Sequence, residues 1–297
     1  MRPFLSAGLL AGLAIVHPDA AAASPDAAAA SPDFGYVYTT AIEEPGETEV
    51  TLWATDRRGK GDGHYDAQDY RLEVERGIGD GFQLSGYANF ASHHVRGLAG
   101  ELDPVHRNLG FQGLSAEFKY QLRAPTNGRV GVAFYAEPGW SRIAKVSGEK
   151  SPEYELELKA IVQKNFLADR LVWAANLTFE PEWEREREEI APGIVSRRME
   201  KELAIETTTG LSYRVAPNWW AGAEARYHSV YPDWTRGLHR ENYAVYAGPS
   251  LHFEADEWAV TATWLPQLFG GPGKAGSSLE FDDHERRELR LKISHEF

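Results

Sequence analysis

From Glu47 to the C-terminus, apolar and polar residues alternate with a period of two. Successive side chains of a strand point to opposite sides, so this period marks strands whose two faces meet different surroundings. Tyr70, Leu72 and Val74 alternate with Asp69, Arg71, Glu73 and Glu75. Phe82, Leu84, Gly86, Ala88 and Phe90 alternate with Gln83, Ser85, Tyr87 and Asn89. Leu114, Ala116, Phe118, Tyr120 and Leu122 repeat the pattern against Ser115, Glu117, Lys119 and Gln121. It continues through 154–162, 171–179, 203–213, 219–227 and 243–253, and ends on Leu289, Leu291, Ile293, His295 and Phe297. Adding 48–56, 130–138 and 258–265 predicts twelve strands. The first has the least contrast, with Val50, Leu52 and Ala54 set against Thr51, Trp53 and Thr55.

The connections carry an independent signal. Those near 78–81, 123–129, 165–170, 215–218 and 255–257 are short and contain Gly, Pro, Asn or Asp. Those near 57–68, 91–112, 139–153, 184–200, 228–241 and 266–284 are longer and more polar. Strict alternation of short turns with long loops predicts an all-β, transmembrane, antiparallel up-and-down barrel over 47–297, with turns on the periplasmic side and loops outside. An even strand count returns both ends to the turn side.

A soluble barrel would use the same period with its apolar face inward. Three features favour the opposite sense. The apolar positions carry no Asp, Glu, Lys or Arg, which makes a clean band for lipid. Aromatic residues gather at two levels: Phe82, Tyr120, Tyr213, Trp219, Phe253 and Trp258 on the turn side, and Tyr70, Phe90, Tyr154, Phe179, Tyr227, Tyr243 and Trp264 on the loop side. Rings that straddle apolar and wet layers form such girdles at both membrane interfaces. The chain also stops at Phe297 with apolar residues at every second position before it, an ending that resembles the assembly signal read by the barrel-insertion machinery.

The first residues predict export. Arg2 supplies a positive start, Phe4 to Val16 an apolar run, and Ala20 to Ala23 small residues for cleavage, the layout of a secretory signal peptide over 1–23. The apolar run is well short of the roughly 20 residues a membrane helix needs. Residues 24–46, starting rich in Ala, Ser, Pro and Asp, are expected to form a flexible leader.

On this register ionisable groups crowd the inner face. The acidic set is Glu73, Glu75, Glu117, Glu137, Glu155, Glu157, Glu180, Glu182, Glu202, Glu206, Glu224 and Glu288. The basic set is Arg71, Lys119, Lys159, Arg226, Arg286, Arg290 and Lys292. Bases concentrate on the last strand and the strands that begin the barrel, which closure makes neighbours, whereas acids dominate the sixth to ninth strands. Such a lumen suits a passive channel for small polar solutes. Cross-strand ion pairs filling a sealed barrel, with a structural or surface-binding role for the loops, is the alternative.

A third alternative is an outer-membrane lipid-modifying hydrolase, which needs a Ser, a His and an acid converging at the outer rim. His93, His94, His106, His228 and His239 lie at loop height, as do Ser92, Ser141 and Ser229, yet their spacing matches no catalytic motif. No catalytic residue, metal site or cofactor is therefore assigned. Asp62, Asp66 and Asp69 surround a Gly-Asp-Gly stretch that reads first as a loop tip. The net charge of −13 argues against nucleic acid as a partner, and the absence of cysteine excludes thiol chemistry. Lipid and lipopolysaccharide are the partners this surface implies.

Several stretches resemble an uncharacterised family of Gram-negative outer-membrane β-barrel proteins. They are Ser85-Gly86-Tyr87-Ala88-Asn89-Phe90, Tyr135-Ala136-Glu137-Pro138-Gly139-Trp140 and the run from Trp173 to Trp183. The resemblance implies a barrel in the bacterial outer membrane and brings no activity with it.

Overall fold

The computed structural model describes residues 32–297 except 98–104, 127, 192–193 and 274–276, and gives backbone alone for 186–198. The expected signal peptide, and the leader as far as residue 31, lie outside the described residues.

Twelve strands follow one another: β1 (Thr48–Arg58), β2 (His64–Gly79), β3 (Phe82–Arg96), β4 (Val105–Arg123), β5 (Gly131–Ser141) and β6 (Glu153–Phe166), then β7 (Leu171–Ala191), β8 (Ile194–Ala216), β9 (Trp219–Pro232), β10 (Asn242–Ala255), β11 (Trp258–Gly271) and β12 (Arg287–Glu296). Each pairs with the next in an antiparallel sense, and β12 returns to β1 to close the barrel, with Leu52 opposite Ile293. Closure is what the medium demands. Lipid offers no hydrogen-bond partner to a bare strand edge, so the sheet can have none.

The short turns fall where the sequence places them. Asp80 and Gly81 both have positive φ, 53° and 82°, as a two-residue hairpin of matching twist requires. The long connections are shorter than expected, because the strands rise past the lipid band. About 9–11 residues suffice for a tilted strand to cross, whereas β7 has 21 and β8 has 23. The expected loop at 184–200 is instead the outer end of the β7–β8 hairpin, paired as far as Ala191 and Ile194. Backbone pairing needs no apolar face once the strands have left lipid, so loss of the alternation did not end the strands.

The apolar face points outward. Leu52, Phe118, Phe134 and Leu177 are 49, 52, 50 and 41 % exposed, while inward neighbours such as Trp53 and Glu117 are nearly inaccessible. A continuous belt of this kind is stable only against lipid. Aromatic pairs close it at both levels: Phe82 with Tyr120 (4.5 Å between ring centres) and Trp219 with Phe253 (4.7 Å) on the turn side, Tyr227 with Tyr243 (5.9 Å) on the loop side.

One segment overturns an expectation. Residues 32–46 are not a free leader but a strap inside the barrel, with Phe34, Gly35, Tyr36, Val37 and Thr40 buried. Their aromatic and β-branched side chains find a greasy seat within an otherwise charged lumen, described next.

Candidate functional site

The strap is held by wall side chains rather than by strand pairing. It leaves the rim beside β2, where the Gly46 N–H donates to the Gly77 carbonyl (2.9 Å). The Glu43 N–H donates to Gln83 (2.9 Å) on β3, and Gln121 on β4 donates to the Thr40 carbonyl (2.7 Å). The Thr40 N–H donates to Gln163 (2.9 Å) on β6. Asn176 on β7 then behaves like a neighbouring strand. Its Oδ1 accepts from the Tyr38 N–H (2.7 Å), and its Nδ2 donates to the Tyr38 carbonyl (2.8 Å). The Glu224 carboxylate on β9, 2 % exposed, accepts the N–H groups of Gly35, Tyr36 and Val37 at 2.8, 2.7 and 3.1 Å and the Thr263 hydroxyl at 2.7 Å. Arg290 on β12 donates to the Gly35 carbonyl (2.9 Å), and Lys292 pairs with Asp33. Buried backbone groups must be satisfied, and here the wall does it in a lumen too narrow for another strand.

Apolar contacts complete the seat. Phe34 and Val37 form a buried cluster with Val172, Ala174 and Trp220, and Tyr36 forms another with Ala244, Tyr246 and Leu265. The two strap tyrosines lie in a layer of rings and cations across the middle of the lumen. Lys159 sits 3.6 Å from the Tyr38 ring centre and Arg290 4.0 Å from that of Tyr36, while Arg71 is 3.9 Å from the Tyr87 ring. Cations over ring faces are attracted by the ring quadrupole, most strongly where water is excluded.

On either side of this layer lies a cavity. The outer vestibule measures about 660 Å³ and is lined by fourteen Asp and Glu against seven Lys and Arg. The inner one measures about 240 Å³ and is lined by the strap together with Glu49, Glu75, Lys119 and Lys292. Within the vestibule the acids are concentrated by register: Glu155, Glu182 and Glu202 stand opposite one another on β6, β7 and β8. Lys145, from the β5–β6 connection, reaches into this wall and bridges Glu155 and Glu180. Like charges directly opposite repel one another, and here Lys145 is the base that offsets them.

Across the vestibule, bases are matched. Arg57 pairs with Asp69 (2.7 Å) and Glu285 (2.9 Å), Arg71 with Glu137, and Arg226 with Glu206 (2.5 Å) and Glu288 (2.7 Å). Burial would raise the Glu285 carboxyl, but Lys60 and Arg57 hold it down to about 2. Burial, aided by the neighbouring His228, pushes the His284 ring down to about 3, so it is neutral at neutral pH.

Of the residues the sequence places on the inner face, Glu73, Glu75, Glu117, Lys119, Glu157, Lys159, Glu180, Glu224 and the rest of that set point inward, with one exception. Arg286 precedes β12, is exposed, and lays its guanidinium 4.5 Å from the Phe281 ring centre. The alternation was extended one step too far there, because β12 begins only at Arg287. The strap, its seat and Asn176 were missed. The signal was the run Phe34-Gly-Tyr-Val-Tyr38, too aromatic for a solvated leader.

The serines and histidines at the rim do not converge. Ser92 donates to Gln68, Ser141 to the Ile143 carbonyl and Ser229 to the Ile205 carbonyl. His93 meets the Lys145 carbonyl, His94 lies tilted against His106 with ring centres 4.4 Å apart, and His228 lies edge-on to His284. Asp66 and Asp69 serve Arg58 and Arg57.

A closed antiparallel barrel with an apolar belt, two aromatic girdles and a charged interior defines a β-barrel of the outer-membrane type. The chain belongs to the family of unknown function DUF6662, whose profile matches residues 26–297. Among solved structures it is similar to the COG4313 outer membrane channel from Pseudomonas putida F1, at 14 % identity and a TM-score of 0.55, over 86 % of this chain and 97 % of that one. It is also similar to the beta domain of the Bordetella autotransporter BrkA (11 % identity, TM-score 0.55, 86 % and 100 % covered). The translocator domain of the autotransporter NalP from Neisseria meningitidis is comparable (12 %, 0.53, 86 % and 90 %). At these identities the likeness concerns the fold. No curated protein matches the sequence.

Proposed function

We propose that the chain is an exported outer-membrane channel for small polar solutes, with an outer vestibule that favours cations. The observation that carries this is the 660 Å³ vestibule, whose lining carboxylates outnumber its bases two to one. An acidic cavity with low-dielectric walls raises the local concentration of cations and repels anions. Selectivity of this kind needs no specific ligand, which suits a lumen in which Arg57, Arg71 and Arg226 are already paired with acids.

The test is planar-bilayer recording from the folded chain under a KCl gradient. The reversal potential is expected to lie on the cation side, and Glu155→Gln with Glu182→Gln to move it toward zero. Absence of discrete steps, both from the whole chain and from a chain lacking the strap, overturns the channel. The aromatic layer across the lumen favours a second reading, a sealed barrel whose loops serve a structural or surface-binding role, and that is the reading such silence would support.

A further inference from the structure

The wall of the lumen is shaped for the strap, and this bears on how a solute path would open. Val172, Ala174, Trp220, Ala244 and Leu265 face inward, on strands whose other inward positions are largely polar. In a water-filled lumen they would be solvated apolar surface; against Phe34, Tyr36 and Val37 they are covered. The fit is close. A Cβ added at Gly210 would come within 2.7 Å of the Phe34 ring, and one added at Gly35 within 2.6 Å of Thr263. The polar half of the seat is equally committed. Glu224 spends one carboxylate on three strap N–H groups, and Asn176 spends both ends of its carboxamide on one strap residue.

The attachment is nonetheless made without strand pairing. Hydrogen bonds and side-chain packing hold the strap, and it takes no part in the barrel ladders beyond a single bridge from Pro45 to Gly77 at the rim. Gly46, beside that bridge, has a φ of 97°, a conformation open to glycine and rare for other residues. A pivot there would leave β1, which begins at Thr48, in place. Withdrawal would leave Glu224 and Asn176 to water, which the vacated space would admit.

We propose that residues 33–43 are a resident plug: seated, they separate the vestibule from the inner cavity, and released toward the periplasmic mouth, they open the path between them. Tyr36 and Tyr38 form the seal, because they fill the middle layer between Trp53, Tyr135 and the cations of the wall. The inference rests on the channel reading and says which element closes that channel.

Because the chain has no cysteine, one engineered pair can test it cleanly. Val37→Cys with Val172→Cys places both thiols in one buried cluster. In planar bilayers, the oxidised pair is expected to abolish openings and reduction to restore them. Deletion of 33–43 is expected to raise conductance severalfold over the whole chain. If deletion leaves a conducting channel unchanged, the plug is overturned and the channel stands. If the deletion variant fails to fold, the cysteine pair decides, and equal conductance when oxidised and reduced overturns the plug. If neither the whole chain nor the folded deletion variant conducts, the channel falls and the plug with it.

Discussion

Leu177 and Glu180 lie three residues apart on β7 and meet opposite media. Leu177 is 41 % exposed on the outer face, and Glu180 faces the vestibule, 3.2 Å from Lys145. Leu177→Arg is expected to lower the stability of the inserted barrel by roughly 2–4 kcal/mol, since the charge gains no partner in lipid. Urea titration of the folded, heat-modifiable form would measure it. Glu180→Gln should fold nearly as well, because Lys145 keeps Glu155. Glu224→Gln is the contrasting case. It replaces an acceptor of three N–H groups with a carboxamide that must turn its own N–H toward one of them. Charge-assisted bonds contribute roughly 1.5–3 kcal/mol each, so the strap is expected to become cleavable by added protease while the barrel stays intact. At this scale the sequence was nearly transparent, because a period of two assigns a face to each residue. It failed at Arg286, where the period continued beyond the strand that gave it meaning.

The strap is the element the sequence hid. Its anchors lie as far along the chain as Arg290 and Lys292 on the last strand, so no local period announces them, and the Ala- and Pro-rich residues before it set the tone for the whole leader. Its seating is expected to depend on pH through Glu43. Burial pushes that carboxyl up to about 7, reinforced by Glu49, Glu296 and Glu47 and opposed by Lys119; Glu75 also lies within the cluster. A carboxyl raised in the seated state favours seating in its neutral form. The contribution is full below the ordinary value near 4.5 and is lost as pH rises through about 7. Protease cleavage of the strap should therefore increase from pH 5 to pH 8, and Glu43→Gln should flatten that rise. The closing element was easier to read. Phe297 extends the β12 edge, its N–H donating to the Thr48 carbonyl at 2.9 Å and its ring packing against His295. Deleting Phe297 is expected to reduce sharply the heat-modifiable fraction after insertion. Normal insertion would count against a role for this end in engaging the insertion machinery.

For the whole molecule the governing quantity is the unequal distribution of charge within the barrel, acids on β6–β8 and matched bases across from them. Strand number and closure were legible because lipid enforces them on every strand, whereas the outer loops were overestimated because nothing enforces alternation beyond the lipid band. An acid-dominated vestibule acts through its field, and that field is screened over about 10 Å at 0.1 M salt but about 3 Å at 1 M. The cation preference expected of the channel should therefore shrink markedly between those concentrations. Unchanged selectivity would point to site binding instead.

The strap also bears on the order in which the molecule comes together. Its acceptors on Glu224 lie 187 to 189 residues downstream, and Arg290 lies on the last strand. A segment made early is thus among the last to find all its partners. Until β7 to β11 are in place, Phe34, Tyr36 and Val37 have no seat, and an unfinished barrel is expected to carry this aromatic stretch uncovered. Such a chain is expected to need holding not only for its lipid-facing strands but for its strap, and a barrel arrested before these strands pair should be captured through this segment.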